Sequence, residues 1–147
     1  MKFAKKSRYG IKALIDLSMN SKENHVPLYS IAERNNISVQ YLEQIFASLK
    51  RAGLVKSIKG AQGGYQLKRP AEDIRLVDII EALEGDYHIE AEDLEDQSGY
   101  AMSAAMQTMI IDQINAKLDE VLESLSLKDL ERETENNQNY NQYMYYI

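Results

Sequence analysis

Residues 38–67, SVQYLEQIFASLKRAGLVKSIKGAQGGYQL, constrain the fold most, because within them one hydrophobic period gives way to another and glycines then turn the chain back. Leu42, Ile45, Phe46 and Leu49 fall at i, i+3, i+4 and i+7, the spacing that gathers apolar side chains on one face of a helix. Ser38 stands where a hydroxyl can cap that helix, and Gly53 stands just past its end, where a positive φ is wanted. The opposite face carries Gln40, Gln44, Ala47 and Arg51, side chains that are polar, planar or small. Residues 54–59 then read as a strand and residues 65–68 as its partner, joined by Gly60-Ala61-Gln62-Gly63-Gly64. Such a turn can adopt positive φ and bring its backbone close to a phosphate or into a minor groove. Lys56 and Lys59 on one side, with Lys68 and Arg69 on the other, make the hairpin a basic wing. A helix with such an exposed face, followed at once by a basic hairpin, suits insertion into the major groove of DNA.

Upstream, Ile11, Leu14, Ile15 and Ser18 repeat at helical spacing behind a basic cluster of Lys2, Lys5, Lys6 and Arg8. That cluster reads either as a solvated terminus or as a set of phosphate contacts. Asn20, Ser21, Asn24 and Pro27 mark a break, residues 28–34 a short helix, and Asn35-Asn36-Ile37 a turn of the length that separates the two helices of a helix-turn-helix. The charge distribution agrees. Residues 1–70 hold 13 Lys and Arg against 4 Asp and Glu, a net of +9, and residues 71–147 hold 4 against 19, a net of −15, which gives the overall −6. A basic half joined to an acidic half is the electrostatic footprint of a DNA-binding module attached to something that avoids DNA. At 147 residues and 44% hydrophobic content, the chain has room for one compact core and an appended dimerisation element.

The absence of cysteine excludes disulfides, thiolate metal sites and cysteine nucleophiles together. His25 and His88 read as solvated loop residues rather than metal ligands. No run approaches the ~20 apolar residues that span a bilayer, so a cytoplasmic protein is expected. Nothing pairs a nucleophile with a base, so no enzyme is expected, and the carboxylates of residues 71–96 read as a solvated surface that repels DNA.

After Pro70, Leu76, Ile79, Ile80 and Leu83 mark a further amphipathic helix ending at Gly85, and residues 86–99 form an acidic loop. Residues 101–125 carry the longest helical pattern. Ile111, Ile114, Leu118, Val121 and Leu125 are spaced 3-4-3-4, the seam of two packed helices, with Met102, Met106, Met109 and Ile110 extending the apolar surface upstream. A dimer interface of Met106, Ile111, Ile114, Leu118, Val121 and Leu125 is the expectation, and it would set two recognition helices about 34 Å apart or a multiple of that. A short capped helix is expected at residues 126–130 and a flexible, polar segment after it. The last eight residues, YNQYMYYI, hold four of the ten tyrosines. They read as a sticky low-complexity tail, as one that folds onto its own dimer, or as a peptide ligand whose free carboxylate and apolar side chain enter a partner's pocket through Tyr145, Tyr146 and Ile147.

The segments SRYGIKAL, SIAERNNISVQYLEQIFASLKRAGLVKSIKGAQGGYQL and VDIIEALEG resemble those of the winged-helix repressors that include the iron–sulfur regulator IscR, the nitric-oxide sensor NsrR and the cysteine-metabolism repressor CymR. The likeness covers most of residues 1–85, and among these regulators the resemblance is nearest to the cysteine-metabolism repressor CymR. The resemblance implies a homodimeric transcription factor on a palindromic operator. It places DNA contacts on Lys6, Arg8 and Tyr9, on Ser38, Gln40, Tyr41 and Gln44, and on Lys59 with Gly60. Glu43 falls where some members read cytosine, as a carboxylate accepting from an exocyclic amine would; its other reading is a surface ion pair with Lys50 or Arg51. Cluster-binding members carry three cysteines in the region of residues 86–99, so the resemblance implies no iron–sulfur cluster here and no cofactor is expected. CymR-like proteins share the aromatic-Ile end, and their partner is cysteine synthase, whose active site also accepts the Ile-terminated tail of serine acetyltransferase.

The expected architecture is mainly α: a winged helix-turn-helix, with a three-helix core plus a two-stranded β-wing, over residues 1–85, the acidic loop over 86–99, a long C-terminal dimerisation helix and short capping helix over 100–130, and a flexible tail over 131–147. The expected function is a homodimeric repressor of cysteine and sulfur metabolism genes, controlled by cysteine synthase docking on the tail. Two alternatives stand beside it: a small-molecule-responsive repressor with its effector near Tyr87 or Tyr100, and an interaction protein that no longer binds DNA.

Overall fold

The computed structural model describes residues 2–95 and 97–145, apart from the Tyr145 side chain. Helix α1 (Lys5–Asn20) buries Ile11, Leu14 and Leu17 at the spacing the sequence prescribes. Helix α2 (Leu28–Asn35) crosses it, and the Arg34 guanidinium forks onto the Asp16 carboxylate with hydrogen bonds of 2.9 and 2.6 Å. Asn36 ends α2 in the left-handed region at φ 52°, a conformation that asparagine tolerates better than most residues. The chain is thereby turned directly into α3 (Val39–Arg51), whose first turn is capped by the Ser38 hydroxyl accepting from the Tyr41 N–H at 3.2 Å. Leu42, Ile45, Phe46 and Leu49 are all completely buried, each contributing about 1.5–3 kcal/mol of hydrophobic stabilisation.

Strands β1 (Val55–Ile58) and β2 (Gly64–Leu67) form the antiparallel wing, with Val55 opposite Leu67 and Ile58 opposite Gly64. Gly53 and Gly60 take positive φ, at 77° and 116°. The other two wing glycines serve close approach instead: a Cβ on Gly64 would lie 2.4 Å from the Val26 carbonyl oxygen. That approach lets Val26 and Tyr65 exchange backbone hydrogen bonds of 2.9 and 2.8 Å, a third strand-like rung that ties the wing to the loop before α2. The Tyr65 ring also meets Phe46 edge-on at 4.7 Å, so the wing is seated on the core through α3.

Helix α4 (Leu76–Glu84) packs on α1 and α3 and ends at Gly85, whose φ is 77°. The described residues of the acidic stretch that follows are irregular and lead into a helical run of α5 (Tyr100–Met106), a π turn (Gln107–Ile111) and α6 (Asp112–Ser124). The regular seam expected from residues 111 to 125 is divided between two faces. Ile111 is buried, Leu118 packs against the chain's own core and Leu122 is buried beside it, whereas Met106, Ile114 and Val121 are exposed. The 3-4 spacing alone cannot tell the inner face of a helix from the outer one, and the π turn shifts register within the run. Leu125 lies outside the helix altogether, in extended backbone, where its carbonyl accepts from the Leu76 N–H at 2.8 Å.

The C-terminal expectation needs a larger correction. Residues 127–145 form one helix, α7 (Leu127–Tyr145), in place of a short helix and a flexible segment. Leu127 and Glu131 are buried at its start, and once a first turn is fixed by such contacts, each further residue adds a hydrogen bond at little entropic cost. The Asn-rich composition of residues 136–142 hides this because it has no apolar stripe to reveal a helix. Tyr146 and Ile147, two of the three tail residues singled out above, lie outside the described residues, as does the Tyr145 side chain.

Candidate nucleic-acid interface

Helix α3 presents Gln40, Glu43, Gln44, Ala47 and Arg51 to solvent, all exposed, while its other side is core. Its N-terminus is open: Ser38 takes one N–H, and the remaining first-turn amides point outward with the positive end of the helix dipole, an arrangement that favours a phosphate. Beside this end lies a cleft of about 320 Å³ lined by Lys5, Tyr9, Asn36, Ile37, Ser38 and Tyr41. Tyr9 and Tyr41 meet edge-to-face at 5.9 Å, with the Lys5 ammonium 5.7 Å from the Tyr9 ring. The geometry thus brings Tyr9, Ser38 and Tyr41 into one notch and adds Lys5, which the basic cluster contained but no spacing argument singled out.

Lys6 reaches α3 directly, donating from Nζ to the Ser48 hydroxyl at 3.3 Å, and so belongs to the same face. Arg8 is exposed and held by the N-terminal arm: its Nε donates to the Phe3 carbonyl at 3.0 Å and its guanidinium lies 4.6 Å from the Phe3 ring. On the other flank, Lys50 donates to the Ser57 hydroxyl at 2.8 Å, which fixes the wing relative to the end of α3. Lys59 and Gly60 sit exposed near the wing tip. His25 accompanies them from the opposite side, its Nε2 against the Gln62 carbonyl, so this histidine braces the wing turn instead of lying free in solvent.

Glu43 makes no ion pair among the described residues. Lys50 is directed to Ser57, and Arg51 donates to the Ser48 hydroxyl at 3.3 Å. The carboxylate therefore stands unneutralised on a face otherwise ringed by cations, a costly placement on a surface meant for phosphate and a useful one for accepting from a base amine.

The chain matches the Rrf2 family, described as iron-dependent transcriptional regulators, over residues 3–133. It belongs to the Rrf2 family. It is 42% identical to the HTH-type transcriptional regulator CymR of Bacillus subtilis over 147 residues, the whole of both chains. It is also 48% identical to the regulator IscR of Cereibacter sphaeroides over 86 residues, a match covering 57% of this chain and 56% of that one. The solved structure described as CymR (YrzC), the global cysteine regulator of B. subtilis, superposes with a TM-score of 0.75 at 41% identity, covering 90% of this chain and 97% of its own. That of T. potens IscR gives 0.73 at 38%, covering 94% and 91%. This Rrf2 protein is accordingly a DNA-binding transcriptional regulator with a winged-helix fold, and the relatives named here are regulators, not enzymes.

The family description names iron, for which this Rrf2 chain offers no thiolate ligand. It has no cysteine. Among the described residues no group of three His, Asp or Glu is placed to hold a metal ion. Also among the described residues, no helix is long and apolar enough to cross a membrane.

The linker after α4 contains a cluster that sequence reasoning missed. The His88 ring lies between Asp86, 2.8 Å from Nδ1, and Asp119, 2.7 Å from Nε2, and the Tyr87 hydroxyl also donates to Asp119. Hydrogen bonds to Asp119 and Asp86 raise the His88 pKa above the ordinary imidazole value. Bonds from Tyr87 and His88 lower that of Asp119, and bonds from the His88 backbone and ring lower that of Asp86. Burial, with Asp119 beside it, pushes the Tyr87 hydroxyl up. His88 and Asp119 are 31 residues apart, and no local pattern announces that pairing.

Proposed function

We propose that this chain is a homodimeric repressor of cysteine and sulfur metabolism genes, acting on a palindromic operator in the cytoplasm and informed by a protein partner that docks on its C-terminal tail. The observation that carries the reading is the extent of the CymR likeness, which runs through the entire chain, tail included, where the match to C. sphaeroides IscR spans 57% of it. The name of the solved relative, a global cysteine regulator, supplies the metabolic assignment. The exposed Met106, Ile114 and Val121 supply an apolar face for a second copy, which would align two α3 helices along one side of DNA. No cofactor enters this reading, and the partner is cysteine synthase, receiving the terminal isoleucine in its substrate pocket.

The test is a binding measurement between purified cysteine synthase and the full chain, repeated with Ile147 deleted. Loss of binding with an intact dimer supports the reading; equal binding by both proteins contradicts it. A second reading has one structural observation in its favour: a cleft of about 630 Å³ lined by Lys2, Lys6, Leu83, Tyr87 and His88, where a small effector could sit between the DNA-binding face and the linker. A thermal-shift screen of metabolites against the protein without cysteine synthase separates the two.

A further inference from the structure

The linker between α4 and the long helix is laced to that helix by three successive side-chain contacts. Gln107 accepts from the Glu92 N–H at 2.7 Å. Asn115 holds both backbone groups of Ile89, accepting from its N–H at 2.8 Å and donating to its carbonyl at 3.1 Å. Asp119 takes His88 and Tyr87 together, and the two rings stack with centroids 4.3 Å apart. At its far end α6 is held differently, by Arg75 donating to the Glu123 carbonyl at 2.8 Å and by the Leu76 and Leu125 backbones. Among these ties, the one at His88 depends on a proton that an imidazole exchanges near neutral pH. An imidazole with a carboxylate at each nitrogen donates to both when protonated; the neutral ring turns a lone pair toward one of them.

We infer that His88 is a protonation-dependent clamp that fixes α6 against the DNA-binding head. The inference rests on the homodimer reading for its consequence, because α6 carries the exposed Ile114 and Val121. Opening the His88 tie removes one of the contacts that fix the middle of α6, leaving Asn115, the packing of Leu118 and Leu122, and the ties at residues 123–125. Two α3 helices joined through a loosened α6 lose the fixed spacing that a palindromic site demands. The charged groups around the ring are Asp86 on the linker, Asp119 on α6, and Lys2, Lys6 and Glu84 around the adjoining cleft, with Glu81 and Glu123 facing Tyr87. Because the folded-state pKa of His88 is raised, the clamp is complete below about pH 6.5, the unfolded value, and opens as pH rises through the folded one. Asp86 and Asp119, both lowered, stay ionised throughout that range.

The experiment follows amide-exchange protection of Ile89 and Glu92 in the full-length protein between pH 6 and pH 9, together with the affinity of the wild-type protein and H88Q for duplexes that the wild type retains from genomic DNA. Protection in the wild type is expected to fall as the His88 ring deprotonates, with D119N moving the ring's titration to lower pH and H88Q showing no such step. DNA affinity is expected to fall about two- to fivefold more in the wild type than in H88Q over the same range, the scale of one exposed ion pair. Identical protection and affinity profiles in H88Q and wild type overturn the clamp. The exchange measurement needs neither DNA nor a second subunit, so a protein that retains no duplex contradicts the proposed function while exchange still decides the clamp.

Discussion

Ser18 and Glu131, 113 residues apart, meet inside the protein, the serine hydroxyl donating to Glu131 Oε2 at 2.8 Å. The carboxylate is 1% exposed, with the Lys22 ammonium 3.2 Å from Oε1 and that of Lys128 3.6 Å from Oε2. It pins the start of α7 to α1, and so joins the helix that leads to the tail to the helix that supports the recognition face. Burial pushes this carboxyl up, but the Ser18 hydroxyl, Lys22 and Lys128 outweigh it and hold it below the usual range.

Removing the group leaves the hydroxyl and two ammoniums without their acceptor. Glu131→Ala is expected to lose about 1–3 kcal/mol in urea unfolding at neutral pH. The pH dependence has a definite sign. A lowered folded-state pKa means that stabilisation is present above the unfolded value of about 4.3 and is lost as pH falls through the folded one, so the advantage of wild type over E131Q shrinks on acidification below pH 4.3. Equal stability of wild type and E131A at neutral pH contradicts the anchoring role.

Gly64→Ala tests how the wing is seated. The added methyl would meet backbone, the Val26 carbonyl, and not the end of a movable side chain, so the rung between Val26 and Tyr65 has to open. A loss of about 1–3 kcal/mol in thermal or urea unfolding is expected. Amide exchange at Tyr65 should accelerate with it, and unchanged protection there would show that the rung does not form.

Glu43 and Lys59 divide specificity from affinity. Glu43→Ala removes an unpaired acceptor from the exposed face of α3, and sequencing of the retained DNA is expected to show one relaxed position, with discrimination there weaker by about 1–3 kcal/mol. Lys59→Ala should weaken binding to all sequences alike and lower the salt slope by about one. A sequence profile unaltered by E43A returns that carboxylate to an ordinary surface role.

The exposed half of the long helix makes a separate prediction. Ile114 is 42% exposed and lies outside the chain's own core, so Ile114→Asp should leave the subunit folded while sedimentation shows monomers. Loss of helical signal together with dimer would instead make Ile114 a folding residue.

The DNA-binding half was legible because its elements are local: the i, i+3, i+4, i+7 stripe of α3, the Ser38 cap and the glycines of the wing all act within a few residues of themselves. What was not legible lies in long-range pairings. Val26 finds Tyr65, His88 finds Asp119 and Ser18 finds Glu131 across 31 residues or more, and none leaves a periodic trace. The seam of the long helix misled for a related reason: Ile111 and Ile114 both fit a 3-4 pattern, and only packing decides that one turns inward and the other out. The start of α7 was legible, but its continuation to Tyr145 was missed because a buried glutamate, a residue type normally read as solvent-facing, helps fix its first turns.

The central claim, that α3 and the wing dock on duplex DNA through phosphate and base contacts, is tested most directly by the salt dependence of binding. Full-length protein titrated with the duplexes it retains from a genomic pool should lose affinity by about 10³ or more between 50 and 200 mM salt, as expected when six or more phosphates are contacted. Affinity that does not change with salt, or no retention of any duplex at 50 mM, would contradict it.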